Sequence, residues 1–289
     1  MNYFENIIST VKTALQEDIG SGDLTASLLG ETSTTSAYII AREDAAICGR
    51  PWVDKVFELI DSDIKIRWLV NEGELVSKGD RILEAQGRTK NLLSAERTAL
   101  NFIQTLSATA TQTHKFCKFV AHTNVKLLDT RKTIPGLRLA QKYAVKIGGG
   151  YNHRMGLHDA FLIKENHIKA TNSLAEITKR AREISPESRL EIEVENLKEL
   201  KLALNCKPDW IMLDNFSLED IQFAVKETND SVKLEASGGI ETPARLIDIA
   251  ETGVDYISVG ALTKNCRAID FSMLFDWENN KRWRNHSEI

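Results

Sequence analysis

The run Leu190-Glu191-Ile192-Glu193-Val194-Glu195 alternates apolar and acidic residues. In a strand, successive side chains point to opposite faces. Leu190, Ile192 and Val194 therefore share one face and three carboxylates share the other. A parallel strand in a doubly wound sheet is covered on both sides and is apolar on both. Three carboxylates pressed against a covering helix would carry a heavy desolvation cost. A polar-lined barrel mouth, with a cation opposite the acids, removes that conflict. The run Ala160-Phe-Leu-Ile-Lys164 ends in such a cation. The pattern alone leaves open a purely structural Lys164–Glu193 ion pair, and Glu195, nearer the exit, reads as a solvated loop residue.

The same rhythm extends on both sides. Further β runs are expected at Val125–Asp129, Trp210–Asp214, Lys233–Ser237 and Tyr256–Gly260. Helical patterns lie at Leu137–Ile147, Ser173–Ile184, Leu197–Asn205, Leu218–Glu227 and Pro243–Thr252. Alternation of this kind requires parallel strands joined by helical crossovers. A full eight-stranded barrel usually needs about 250 residues, so a short six-stranded α/β barrel is expected. The first 93 residues are mixed: a helix at Phe4–Glu17, a Gly-rich turn at Ile19–Asp23, then strands at Ser36–Ile40, Ile64–Val70 and Arg81–Gln86. The stretch around Gly73 and Gly79 superficially resembles a lipoyl or biotinyl carrier hairpin, but Lys78 lacks the tip setting such a lysine needs, so a β-rich scaffold is expected. Ser94 is a plausible N-cap for a long helix carrying Leu100, Ile103, Leu106 and Ala110 at helical spacing. Arg97 would then sit in its first turn, where the helix dipole disfavours a cation.

Composition narrows the function classes. The 289 residues carry 37 Lys+Arg and 41 Asp+Glu, a net charge of −4, with 42% hydrophobic residues. Disorder and a polyanionic nucleic-acid partner are disfavoured. No apolar run approaches the ~20 residues of a membrane span, and the N-terminus has no basic leader followed by an apolar stretch. Cys48, Cys117, Cys206 and Cys266 include no CxxC pair. A cytoplasmic, reducing compartment is expected. Charge is unevenly spread, however: residues 129–169 hold eight Lys/Arg against three Asp/Glu.

That window suggests an anion site. Arg131-Lys132 at a strand end, His153-Arg154 beside Gly148-Gly149-Gly150, and Lys164 are not explained by a solvated helix face, whereas Lys142 and Lys146 are. Ser237-Gly238-Gly239 and Gly260 each follow a strand and precede a helix, where backbone amides bind phosphate. Arg forks suit carboxylates and Lys suits phosphates. Glu193 and Asp214 among these cations suit Mg²⁺ with phosphate oxygens, or ribose hydroxyls. The residues point to an enzyme acting on a phosphorylated and carboxylated small molecule. A Schiff-base lyase using Lys164 and a non-catalytic binding module are the rivals from other classes.

At these residues the sequence resembles the quinolinate phosphoribosyltransferase family. The resemblance runs through Glu17-Asp-Ile-Gly-Ser-Gly-Asp-Leu-Thr25, Glu96-Arg97-Thr-Ala-Leu-Asn101, Asp129-Thr-Arg-Lys-Thr-Ile-Pro-Gly-Leu-Arg138 and Gly148-Gly-Gly-Tyr-Asn-His-Arg154. It continues through Leu162-Ile-Lys-Glu-Asn-His167, Glu193-Val-Glu195, Met212-Leu-Asp-Asn215, Glu235-Ala-Ser-Gly-Gly-Ile240 and Ser258-Val-Gly260. It implies an open-faced α/β sandwich over residues 1–110, joined by a returning tail 266–289, and an α/β barrel over 111–265. It implies phosphoribosyl transfer from 5-phosphoribosyl 1-pyrophosphate (PRPP) to quinolinate with decarboxylation, giving nicotinate mononucleotide for NAD biosynthesis, with Mg²⁺ and no organic cofactor. It also implies a homodimer with shared sites, and higher oligomers are open. Quinolinate is expected at Arg131, His153, Arg154 and Lys164, with Arg97 from the neighbour. PRPP is expected at Lys132, Lys164, Glu193 and Asp214 with Mg²⁺, its 5′-phosphate at Ser237, Gly238, Gly239 and Gly260. Lys264 stands where members often carry His, and keeps a cation for the phosphate. A paralogue of the same fold, found in molybdenum-transport operons, is the alternative within the fold.

Overall fold

The computed structural model describes residues 2–30, 32–171, 173–240 and 242–277. The chain divides into two compact units. The first comprises Met1–Gln112, Pro135–Gly148 and the segment from Cys266 onward; the second comprises Thr113–Ile134 and Gly149–Asn265. The division departs from the expected boundary. Thr111, Gln112 and the segment 135–148 cluster with the first unit, the last because Ala140 and Ala144 bury into its core.

The first unit opens with helix α1 (Ile7–Ile19). Strand β1 (Thr34–Ala41) is central in a four-stranded antiparallel sheet, flanked by β5 (Arg81–Arg88) and β12 (Phe271–Asp276), with β3 (Lys65–Trp68) beyond β5. β12 is the returning tail, in register with β1 from Ser36↔Asp276 to Ala41↔Phe271; residues 278–289 of the expected tail lie outside the described residues. A two-stranded ladder joins β2 (Ala45–Ala46) to β4 (Leu75–Val76). The core packs Ile39 and Leu83 of the sheet with Trp52 and Phe57 of helix α2 (Arg50–Ile60) and with Ile103 and Leu106 of α3 (Thr89–Phe119). Each such fully buried side chain contributes roughly 1.5–3 kcal/mol.

Two local expectations fail here. α3 begins at Thr89, so Ser94 lies inside the helix. Its hydroxyl bonds to the Lys90 carbonyl and to Asp23 instead of capping. Arg97 is accordingly not in the first turn, and the dipole conflict disappears. Lys142, expected on a solvated face, is fully buried on α4 (Arg138–Ile147); Lys146 on the same helix is exposed.

The second unit contains six parallel strands: β6 (Lys126–Leu128), β7 (Phe161–Ile163), β8 (Leu190–Val194), β9 (Trp210–Asp214), β10 (Lys233–Ser237) and β11 (Tyr256–Ser258). Their order is β6-β11-β10-β9-β8-β7. From β7 to β11 each strand adds beside its predecessor, and β6 pairs with the last strand. A doubly wound sheet reverses direction part-way; this one does not. Residues of all six strands, or of the loops directly after them, line one cavity. The unit is therefore a short α/β barrel, with a seam between β6 and β7, where no ladder forms among the described residues. At the seam Leu128 makes an isolated bridge with Tyr151. Helix α5 (Glu165–Thr171) follows β7, and α6 (Leu174–Ile184), α7 (Leu197–Asn205), α8 (Leu218–Thr228), α9 (Pro243–Ala250) and the short α10 (Ala261–Lys264) complete the alternation. α6, α7, α8 and α9 are N-capped by Ser173, Asn196, Ser217 and Thr242 side chains, as expected for these residue types.

Candidate active site

The strands end earlier than their sequence patterns. β7 stops at Ile163, β8 at Val194 and β11 at Ser258, so Lys164, Glu195 and Gly260 stand just beyond them. Ligands in parallel α/β folds bind at this end. A cavity of about 390 Å³ opens there, lined by Thr130, Arg131, Lys132, His153, Arg154, Leu162, Lys164, Glu193, Met212, Asp214, Glu235, Ser237 and Ser258. Inward-facing positions alternate as expected: Glu193 is in register with Met212, and Ser237 with Asp214.

Each cationic element is fixed locally. Lys132 N–H donates to Thr130 Oγ1 at 3.0 Å, and Thr263 Oγ1 donates to the Lys132 carbonyl at 2.7 Å, which ties the loop after β6 to α10. Asp129 is fully buried and clamps the loop before β7: Oδ1 accepts His153 N–H at 3.0 Å and Oδ2 accepts Asn152 Nδ2 at 2.6 Å. Arg154 Nη1 donates to the Ala160 carbonyl at 3.2 Å. Burial, and then Arg131 beside it, work against the charge of Arg154. Two guanidiniums crowded in this way favour an anion between them.

The carboxylates occupy two levels. Lys164 Nζ donates to Glu193 Oε2 near the surface of the mouth. Asp214 Oδ2 accepts Asn215 Nδ2 at 2.8 Å. Asn215 reaches back because its backbone is left-handed (φ 56°). Gly238 faces it, also left-handed at φ +94°, and a Cβ there would lie 2.1 Å from Asn215 Oδ1. Below these, Glu191 and Glu235 are fully buried, and His153 Nε2 lies 2.9 Å from Glu191 Oε2 and 3.2 Å from Glu235 Oε2. These contacts are close without being aligned as hydrogen bonds to either oxygen. Burial opposes the charged form of His153, but the two carboxylates outweigh it and raise its pKa. Burial and Glu191 together raise Glu235 to about 7. Arg154 N–H donates to His153 Nδ1 at 2.7 Å, so the neutral ring carries its proton on Nε2, facing the acids, and this bond opposes the doubly protonated form that the acids favour.

Of the expected residues, Arg131, Lys132, His153, Arg154, Lys164, Glu193, Asp214 and Ser237 share this lining. Gly238, Gly239 and Gly260 contribute backbone in the adjoining turns. A Cβ at Gly260 would lie 3.1 Å from Lys132 Cδ, so glycine there leaves room for the lysine stem. Lys264 is exposed at the end of α10 and is not part of the lining. The lining belongs entirely to the second unit; Arg97, exposed on α3, belongs to the first. Four of the eight cations in the basic window line the cavity; Arg138, Lys142 and Lys146 fall in the first unit, and Lys169 lies on α5 outside the lining. Asp129, Glu191, Asn215 and Glu235 had no role assigned from sequence. The alternation around Glu193 pointed to Glu191 facing inward, but nothing local pairs it with His153.

Comparison with known proteins decides the family. Residues 23–107 match the model of the quinolinate phosphoribosyl transferase N-terminal domain, and residues 109–274 match that of its C-terminal domain. The chain belongs to the quinolinate phosphoribosyltransferase family. It is 41% identical over 259 residues to a "probable nicotinate-nucleotide pyrophosphorylase [carboxylating]" of Bacillus subtilis (strain 168), covering 89% of each chain. It is 38% identical to the nicotinate-nucleotide pyrophosphorylase [carboxylating] of Mycobacterium leprae (strain TN), covering 93% of this chain and 97% of that one. The structure of the nicotinate-nucleotide pyrophosphorylase from Francisella tularensis superposes with a TM-score of 0.90 at 46% identity, covering 96% of this chain and 98% of that one. The alternative of a molybdenum-operon paralogue gains no support. Among the described residues, no helix is long and apolar enough to cross a membrane.

Proposed function

We propose that this quinolinate phosphoribosyltransferase family member joins quinolinate to PRPP at the barrel mouth, releasing pyrophosphate and CO₂ and forming nicotinate mononucleotide for NAD biosynthesis. The observation that carries this reading is the set of Arg131, Arg154 and Lys164 around one cavity, with Glu193 and Asp214 in the same lining. Crowded guanidiniums suit a dicarboxylate, and a mouth holding both signs suits a reaction that separates charge.

Arg131 and Arg154 hold the two carboxylates of quinolinate and aim the pyridine nitrogen at the ribose. The nitrogen lone pair attacks the anomeric carbon while the bond to pyrophosphate breaks, the electron pair leaving with the pyrophosphate oxygen. Positive charge builds on the ribose ring as this happens, and Glu193 and Asp214 stabilise it. Lys132 and Lys164 offset charge on the leaving group. The quaternised nitrogen then accepts electron density as the C2–carboxylate bond breaks. CO₂ leaves, and the pair left at C2 takes a proton. No organic cofactor enters this sequence.

Mg²⁺ takes oxygen ligands and keeps several waters. Glu193 and Asp214, two carboxylates on an open cavity, fit that donor chemistry, whereas the buried His153–Glu191–Glu235 group includes a nitrogen. Bound with the pyrophosphate group, Mg²⁺ supplies charge neutralisation. The left-handed turn Gly238-Gly239 and the backbone at Gly260 present amides for the 5′-phosphate. We place these reactions in the cytoplasm, in a homodimer whose partner contributes Arg97 to each site.

The experiment is direct. Purified protein with quinolinate, PRPP and Mg²⁺ is expected to form nicotinate mononucleotide and CO₂. Turnover of nicotinate without turnover of quinolinate would overturn the assignment. The Gly238→Ala variant tests the phosphate turn. Its methyl group collides with the amide that orients Asp214, so kcat/KM for PRPP is expected to fall about 10–100-fold, as misplaced binding groups do. Steady-state kinetics with PRPP varied would show it.

A further inference from the structure

Glu191 and Glu235 are buried carboxylates that the reaction above does not use. Burying two of them side by side is expensive unless a paired group offsets the cost. Their neighbours along β8 and β10 are Leu190, Ile192, Leu234 and Ala236, all buried and apolar. The surroundings of the acids are built for charge. Arg189 Nη2 lies 3.7 Å from Glu191 Oε2, and its guanidinium lies 4.1 Å over the Trp210 ring. Trp210 stacks on Tyr256 at 3.9 Å, so aromatic rings occupy the space at the level of Arg189. From the mouth side His153 Nε2 approaches both acids, and the Ser258 side chain also interacts with Glu235.

His153 faces two ways. Its Nδ1 accepts the backbone N–H of Arg154, and its own backbone N–H is held by Asp129. The imidazole thus spans from the buried acids to the backbone of Arg154. Sequence reading treats His153 as a direct quinolinate contact. In the structure both ring nitrogens are turned to protein partners.

We propose that Glu191 and Glu235 are positioning residues for the dicarboxylate: through His153 they fix the backbone of Arg154 and so the direction of its guanidinium in the mouth. This rests on the quinolinate reading above, so wild-type turnover of quinolinate is established first; its absence would count against that reading and not against this link. The acids act on the arginine end of the site and not on the glycine turns, so their loss separates the two substrates.

The test is steady-state kinetics on Glu235→Leu and Glu235→Gln, with each substrate varied in turn. Leucine removes one of the two carboxylates facing Nε2, while glutamine keeps an oxygen there. For Glu235→Leu the quinolinate KM is expected to rise about tenfold or more, the scale of a misplaced binding group, with the PRPP KM within about twofold of wild type. Glu235→Gln is expected to recover most of the loss. If the leucine variant does not fold, Glu235→Asp, which withdraws the carboxylate by one methylene, is expected to show the same split to a lesser degree. An unchanged quinolinate KM in a folded Leu or Asp variant would overturn the proposal. So would an equal rise in both KM values, or equal impairment of the Gln and Leu variants.

Discussion

Replacing Lys164 with alanine is expected to lower kcat/KM for quinolinate by about three orders of magnitude. Two effects add. The substrate loses a charge-assisted contact, about 1.5–3 kcal/mol. The leaving pyrophosphate also loses the ammonium that offsets its charge in the transition state, a second charge-assisted contact of similar size. The Lys164 side chain is 40% exposed. That exposure also means the fold should tolerate the change. The melting temperature is expected to move little while activity collapses, and a thermal melt beside the kinetics separates the two. The pairing with Glu193 suits a fixed cation and not an amine nucleophile. Borohydride with a carbonyl substrate should therefore leave no adduct on Lys164, which is the outcome that disfavours a Schiff-base lyase.

The second large effect concerns Arg97. Arg97→Ala and Lys164→Ala are each expected to be nearly inactive alone. If the partner subunit supplies Arg97, mixing the two variants creates hybrid dimers with one intact site and one doubly damaged site. Random exchange makes half the dimers hybrid, with half their sites intact, so recovery is expected at about a quarter of wild-type activity. The assay is activity after verified subunit exchange, for example by mild denaturation and refolding of the mixture. No recovery after exchange would show that each site uses its own Arg97.

The second unit was largely legible because its strands carry a strong period. Trp210–Asp214 and Lys233–Ser237 fall where the sequence places them, and the other strands shorten by a residue or two at their ends. The acidic alternation of residues 190–195 carried the choice of a barrel, and the strand order agrees. The misses differ in cause. Helix α2 does carry local marks, Pro51 in its first turn and the helical spacing of Trp52, Val53, Val56 and Phe57, but its N-terminal amides are held by Glu72 from a distant loop, which accepts Gly49 N–H at 2.7 Å and Arg50 N–H at 3.2 Å. Ser94 has the right chemistry for a cap, but α3 begins a turn earlier and the hydroxyl is used by Asp23. Lys142 has a charge that suggests solvent, yet packing of α4 within the first unit buries it.

The candidate site shows the same division. Cations at strand ends are visible in the sequence because lysine and arginine are unusual there. The groups that hold them are not, since Glu191 and Glu235 meet His153 only when β8, β10 and the loop before β7 come together. Asn215 and Gly238 are likewise paired only by the fold. The basic window reads as one feature along the chain, but the fold distributes it, sending Arg131, Lys132, Arg154 and Lys164 to the mouth and three other cations to the first unit.

The most direct measurement is a crystal structure of the protein soaked with quinolinate. The expected result is density for the dicarboxylate at the barrel mouth, its carboxylates within hydrogen-bond distance of Arg131, Arg154 and Lys164. Quinolinate bound elsewhere, with the mouth holding only solvent, would contradict the assignment of this cavity as the active site.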